Sequence, residues 1–435
     1  MTGGLGLGGA YGTTLGRIKG QGGEKSKLGM AALMWISHSE RPLKADELCH
    51  ALAVEIGSPY LNRDNVPSIG TLLACCQGLV TVDKEVFTVR LIHYTLQEYL
   101  QAHPELFGTV HSIMAETCLS YLNSHQVRAL SISHSPDSQR TPFLEYSSLY
   151  WGTHAKRDLS ECAKSLALKL FNDYGNHISS KVLLERHNQH LRKTDFNKLS
   201  LFSGLHCASV LGIVEIVASL MELEGCNISQ IDCTGNTPLM WAALNGHEGV
   251  VKMLLERDDV NPDKPETRGR TPLYCAAKYG HEGVVKIFLR RSDVNPDKPD
   301  CCHRTPLHCA AEYGHEAVAK VLLGQDGVDP NRPDMYGRTP LYRAAWGGQE
   351  GVVKMLLGRG DVSPDKPENR GQTPLHCASK YGRESVVKML LEHGANPDKP
   401  DKLGQTPLHC ATEFGHEGVV KTLLRWDDVN PHKTR

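Results

Sequence analysis

Apolar residues recur in the second half of this chain with a helical spacing, and that spacing is itself repeated. In one copy Leu307, Ala310 and Ala311 form a slim apolar stripe, which predicts a short helix. Thr305 stands at its N-cap, and Pro306 takes the first helical position, where a missing N–H costs nothing. Gly314, tolerant of positive φ, ends it. A second helix is predicted to follow at once; in the copy at Thr237 its apolar set is Val250, Val251, Leu254 and Leu255. Asp-Val-Asn-Pro-Asp-Lys-Pro then excludes helix and reads as an extended hairpin arm. Thr-Pro-Leu starts at Thr237, Thr271, Thr305, Thr339, Thr373 and Thr406, and a degraded copy starts at Ser203. Successive starts are 34 residues apart five times and then 33. Two helices of roughly ten residues cannot bury their own stripe, so each unit must lean on its neighbours in a stacked array.

The first half reads differently. Residues 28–36 are apolar and helix-forming, a second helix is expected from Pro42 to about Ile56, and a third over residues 67–78. Residues 79–82 and 87–90 flank Asp83-Lys84-Glu85 as a short hairpin, and residues 91–100 close as a helix. Three helices and a β-wing make a winged helix over residues 28–103. Residues 104–198 alternate amphipathic helices, 111–122 and 159–174, with polar joints such as residues 131–138. Residues 143–151 are rich in aromatics, and Trp151 is expected to hold this helical spacer together. Residues 1–27 are left as a glycine-rich segment. The fold class is therefore mainly α: a winged helix and a helical connector followed by a repeat solenoid over residues 199–435.

The array resembles the ankyrin repeat. Gly-x-Thr-Pro-Leu-His-x-Ala-Ala-x-x-Gly-His-x-x-Val-Val-x-x-Leu-Leu stands almost whole at residues 404–424. Most arms carry one residue more than the family form, which His393-Gly394-Ala395-Asn396-Pro397 alone has. Residues 28–103 resemble the winged-helix module that follows the NTPase in fungal NACHT proteins, of the NLR-like signalling type. They are also similar to the GPI inositol-deacylase winged-helix family. The carrying residues are Ala32-Leu33-Met34-Trp35-Ile36, Arg41-Pro42-Leu43, Glu47-Leu48 and the run from Leu91 to Leu100. That family name implies no deacylase activity, and no Gly-x-Ser-x-Gly nucleophile elbow is present. In NLR-type proteins a Met-His-Asp triplet holds a His that touches the ADP phosphate. Ile92-His93-Tyr94 brings His93 to that position with different neighbours, and the other reading is a half-buried His at a helix start.

Charge narrows the partners. Lys+Arg 48 against Asp+Glu 49 leaves a net charge of −1, so no global field attracts nucleic acid or anionic membrane. Residues 66–79 contain neither Lys nor Arg, which argues against DNA on the third helix. No apolar run approaches the ~18 residues of a spanning helix. Gly4-Leu5-Gly6-Leu7-Gly8-Gly9 satisfies G-x-G-x-x-G, and Lys25-Ser26 resembles the end of a phosphate loop, but no strand leads into either. Glu24 would also repel a phosphate. Of the 14 cysteines, Cys207, Cys275, Cys309, Cys377 and Cys410 share one small core-facing position, and Cys75-Cys76 are expected in the core. Each adjacent His-Cys pair points about 100° apart on a helix and chelates poorly. The resemblance gives His206, His308, His376 and His409 a backbone-bonding role between repeats. His247, His281, His315 and His416 look equally structural.

These readings lead to a non-enzymatic protein-interaction scaffold with no catalytic residues, metal or cofactor. It is expected in the cytoplasm, without membrane, nucleic-acid or, in isolation, nucleotide ligands. It resembles the sensor portion of a fungal NLR-like receptor whose NTPase is missing. A free-standing ankyrin adaptor and a DNA-associated winged-helix regulator stay open. The array is expected to be truncated after its seventh repeat, which should fray first. The ankyrin resemblance places the residues before the helix-ending Gly on the concave, partner-binding face. Here these are Lys278-Tyr279, Glu312-Tyr313, Trp346-Gly347, Lys380-Tyr381 and Glu413-Phe414, with Arg268, Arg304, Tyr336 and Arg370 at arm tips as a polar rim. Their rings either form a binding ladder or merely cover neighbouring helices.

Overall fold

The computed structural model describes residues 7–130, 140–187 and 201–426, in two compact units, Met1–Cys226 and Asn227–Arg435. The expected loop at residues 131–138 and the tail from residue 427 lie outside the described residues.

The first unit opens with a helix where the sequence showed only glycine: α1 (Leu7–Gly20). Tyr11, Leu15 and Ile18 recur at helical spacing and are buried, and α1 packs on α2 (Gly23–His38). Tyr11 Oη lies 2.7 Å from Thr95 Oγ1, and Gln21 Nε2 donates to the carbonyl of Cys75 at 2.8 Å. The N-terminal segment is thus part of the winged helix, and the expected break at residue 28 is not a packing boundary.

The winged helix continues with α3 (Ala45–Leu52), α4 (Ile69–Cys75), β1 (Val80–Val82), β2 (Val89–Leu91) and α5 (Tyr94–Ala102). The strands are antiparallel, with Val80 opposite Leu91 and Val82 opposite Val89. α3 and α4 are shorter than their sequence patterns, and Leu91 belongs to a strand rather than to the last helix. Glu47 fixes the start of α3: its carboxylate accepts from Lys44 N at 2.8 Å and from both terminal nitrogens of Arg41 at 2.6–2.7 Å. Ser68 Oγ accepts from Thr71 N at 3.1 Å and caps α4.

The connector is built around α6 (Val110–Asn123), which is buried along most of its length. After the single turn α7 (His125–Arg128), α8 (Leu144–Arg157) and α9 (Glu161–Phe171) pack against α6, and α10 (Ile178–His187) packs on α8. Phe143, Tyr146 and Trp151 are fully buried, as their density in the sequence predicted.

The degraded repeat, α11 (Gly204–Leu211) and α12 (Val214–Met221), belongs to this first unit and packs on α9. Its missing proline has a physical cause. Gly204 stands where the other copies carry Pro, and a Cβ there would overlap the Cβ of Phe171. The motif has decayed where the solenoid meets the connector.

Among the described residues the second unit holds six helix pairs. The first helices are α13 (Pro238–Leu244), α15 (Pro272–Lys278), α17 (Pro306–Tyr313), α19 (Pro340–Gly347), α21 (Pro374–Lys380) and α23 (Pro407–Glu413). Their partners are α14 (Glu248–Leu255), α16 (Glu282–Leu289), α18 (Glu316–Leu323), α20 (Glu350–Leu357), α22 (Glu384–Glu392) and α24 (Glu417–Leu424). Each first helix touches the next first helix, and each second helix the next second one. Thr237, Thr271, Thr305, Thr339 and Thr373 accept the N–H three residues on, with proline at the first helical position. Gly314 ends α17 at φ 76.

Polar side chains stitch neighbouring repeats at backbone carbonyls. His281 Nε2 donates to Leu244 O at 2.9 Å, His315 to Lys278 O at 3.0 Å and His416 to Lys380 O at 2.9 Å. His308 and His376 bond the carbonyls of Arg338 and Gln405 at 3.0 Å. The lysine of each Asp-Lys-Pro arm reaches back one repeat: Lys298 and Lys399 bond the carbonyls of Asp263 and Asp365 at 2.8 Å. The arms are therefore joined by side chains that the sequence had marked only as helix-excluding.

Candidate partner-binding site

The candidate surface grows from the end of each first helix. There the chain must turn sharply, so the last side chains before the glycine project outward instead of into the stack. Tyr279, Tyr313, Trp346, Tyr381 and Phe414 are 48, 48, 37, 45 and 49 % exposed. Such exposure is unusual for large rings in a small-residue scaffold. Lys278, Glu312 and Lys380 beside them are half-buried, and Glu413 is exposed.

The rings do not form one continuous ladder. By register Trp346 stands in the column of Lys278, Glu312, Lys380 and Glu413, while Gly347 takes the tyrosine column. A Cβ at Gly347 would lie 2.5 Å from the carbonyl oxygen of Glu312, so that column has no room for a side chain at this level. Trp346 fills the gap from the side, edge-on to Tyr381 with centroids 6.3 Å apart. Elsewhere cations link the rings: Lys278 Nζ sits 5.1 Å from the Tyr279 centroid and 6.0 Å from that of Tyr313. Lys380 Nζ lies 5.0 Å over Phe414. The face is aromatic with a positive charge between rings.

The arm tips are set by a recurrent carboxylate. In each turn one oxygen of Asp232, Glu266, Asp300, Asp334, Glu368 or Asp401 accepts two backbone N–H groups, such as those of Tyr336 and Arg338 on Asp334 at 2.9 Å. This turn exposes Arg268, Tyr336 and Arg370 in one column. Arg304 is not in it. The tip position of that repeat is Cys302, and Arg304 lies two residues on, bound to Asp300 Oδ2 at 2.9 Å with only 30 % of its side chain exposed. The expected rim has three members, not four.

One buried charge does not stand out from the sequence pattern. Arg343 occupies the position of the core cysteines and is buried. It donates to Asp334 Oδ2 at 2.5 Å and approaches Glu312 Oε2 at 3.4 Å. Only counting in register sets it apart: a single Arg in a column otherwise holding Cys, or Trp241 in the second repeat.

The cysteines of that column are buried, and burial pushes their thiols up, Cys309 to about 11 and Cys275 to about 12. They are packing groups. Burial likewise lowers His308 to about 4, which keeps it neutral as a backbone clasp. Among the described residues no group of three or more His, Cys, Asp or Glu side chains is arranged to hold a metal ion, and no helix is long and apolar enough to cross a membrane.

His93 is the N-cap of α5 and is exposed rather than half-buried. Its Nδ1 accepts from Thr95 N at 3.3 Å and meets Thr95 Oγ1 at 2.8 Å. Its ring leans on Tyr94, centroids 4.5 Å apart.

Stacked helix pairs with capped Thr-Pro starts and exposed helix-end side chains define a solenoid of the protein-interaction class. Comparison with known families agrees. The family described as ankyrin repeats (3 copies) matches residues 173–265, 205–300, 258–334, 295–367 and 359–434, together more than half of the 435 residues. The chain belongs to the ankyrin-repeat family. The family described as GPI inositol-deacylase, winged helix domain matches residues 18–112, a span that includes the end of α1. A search of curated proteins finds no match. Among solved structures, the chain is similar to the human ASB11 ankyrin repeat domain at 27% identity and a TM-score of 0.47, covering 52% of this chain and 99% of that one.

Proposed function

We propose that this chain is the partner-recognising portion of an NLR-like signalling protein, its array holding a protein ligand on the aromatic helix ends. The observation that carries this is the set of five exposed rings, Tyr279, Tyr313, Trp346, Tyr381 and Phe414, at the turn of five successive repeats. Aromatic residues fill interface hot spots because they combine large area with few rotatable bonds. Arg268, Tyr336 and Arg370 supply a polar rim at the arm tips. The winged helix and connector would transmit the bound state to an NTPase, and His93, exposed at the start of α5, would then reach its ADP.

The reading contains no chemistry. Buried, proton-bearing thiols and neutral clasping histidines support a scaffold over an enzyme. Neither Lys nor Arg lies in α4, which supports leaving duplex DNA out. The test uses the full chain as bait in a cell lysate, with purified chain titrated in parallel with ADP and with duplex DNA. A retained protein that then binds the purified chain directly, with neither ADP nor DNA bound, is the expected result. Binding of duplex DNA at physiological salt with no protein ligand would overturn it.

A further inference from the structure

Arg338 is placed differently from the arginines at the same position of the two preceding repeats. In the third and fourth repeats the residue before the capping Thr, Arg270 or Arg304, binds the turn carboxylate of its own repeat, at 2.8 and 2.9 Å. In the fifth repeat that carboxylate is Asp334, and its second oxygen is taken by Arg343. The arginine in the cysteine column has displaced the arginine at the helix entrance. Arg338 therefore has no ion-pair partner among the described residues, and no hydrogen bond from its guanidinium. Its Nε is shielded from solvent and makes no hydrogen bond.

The group is nonetheless held in place. The guanidinium carbon lies 4.9 Å from the Tyr336 centroid and 5.8 Å from that of Tyr342. It borders a cavity of about 140 Å³ lined by Arg338, Tyr342, Arg343, Trp346, Cys377 and Tyr381. Among the described residues none of the nearby carboxylates pairs with Arg338. Asp334 and Glu312 face Arg343, and one oxygen of Glu368 accepts from the N–H groups of Arg370 and Gln372. A guanidinium offers five donors in a rigid fork that matches a carboxylate. Leaving the shielded Nε unmet is costly, while the two terminal nitrogens, half-exposed at the cavity, are open to a ligand.

We propose that Arg338 anchors a carboxylate-binding pocket in the fifth repeat, and that the protein ligand inserts an Asp or Glu side chain there, with an apolar neighbour against Trp346 and Tyr381. This rests on the reading that the array binds a protein, and it names the chemistry of the central contact. The pocket adjoins the aromatic face through Trp346, so one peptide segment can engage both.

The probe is a hexaglutamate peptide amide, with hexaglutamine amide as control, titrated into full chain carrying 15N-labelled arginine. The Arg338 Nε–Hε resonance is assigned by its absence in Arg338→Lys. Saturable movement of that resonance with hexaglutamate alone is expected. Arg343→Cys is the discriminating variant: it restores the array's own cysteine and returns Asp334 to Arg338, so affinity should fall about tenfold although Arg338 is still present. An unresponsive Arg338 resonance, an equal response to hexaglutamine, or unchanged affinity in Arg343→Cys would overturn the pocket. Those results leave the aromatic face untouched, because Tyr313→Ala lies outside this pocket and tests the protein ligand separately.

Discussion

His308 clasps two repeats at once: its Nε2 donates to the carbonyl of Arg338 at 3.0 Å, while its Nδ1 accepts the backbone N–H of Thr305 at 3.1 Å. Both bonds together require a neutral ring with its proton on Nε2. Burial lowers the folded-state pKa to about 4, whereas an unfolded His titrates near ~6.5. The unfolded chain therefore binds the extra proton between those values. The stabilisation is full above pH ~6.5 and is lost as pH falls toward 4, at up to about 1.4 kcal/mol per pH unit for this one group. His308→Asn should lower the slope of unfolding free energy against pH in that window by about one proton, read from urea titrations at successive pH values. An unchanged slope would mean that His308 is not held neutral by folding.

Gly204 and Phe171 yield a counterintuitive expectation. Gly204→Pro would restore the Thr/Ser-Pro-Leu motif and supply the preferred residue for the first helical position. Against the Phe171 side chain it should instead destabilise the first unit by about 1–3 kcal/mol, the usual cost of overpacking. Thermal unfolding compares the variant with wild type, and a stabilised variant would show that α9 does not pack here.

The seventh repeat is the least enclosed of the array. Only Pro407, Cys410 and Ala411 of α23 are buried, against six residues of α17, and in α24 only Val419 and Leu423 are. Leu424 is 50 % exposed. Hydrogen exchange of this chain should find α24 the least protected helix of the second unit, with α17 and α19 the slowest. Equal protection in α24 and α18 would contradict this.

The repeats were legible because one period carries every local signal: Thr cap, Pro start, Gly end, paired valines and leucines. The same regularity made the exceptions readable only after alignment to register. Counted from its own capping Thr, Arg304 falls outside the arm-tip column, and Gly347 leaves the tyrosine column empty at the level where Trp346 stands beside it. α1 was missed because glycine frequency hid Tyr11, Leu15 and Ile18 at helical spacing. The pairing of Arg343 with Asp334 joins a helix to a turn nine residues earlier, and nothing short of the fold makes those two groups meet. The winged helix was legible as a succession of elements, while its helix ends moved by a few residues because capping side chains such as Ser68 and Glu47 decide them.

The measurement that bears most directly on the scaffold reading is the affinity of the purified protein ligand for wild-type chain, Tyr313→Ala and Trp346→Ala, each checked for wild-type unfolding. Both rings are exposed, so truncation should leave folding nearly unchanged and cost on the order of 2 kcal/mol of binding. That is roughly a thirtyfold rise in Kd. If both variants bind as wild type, or if both unfold the array, the helix-end aromatics are not the recognition surface.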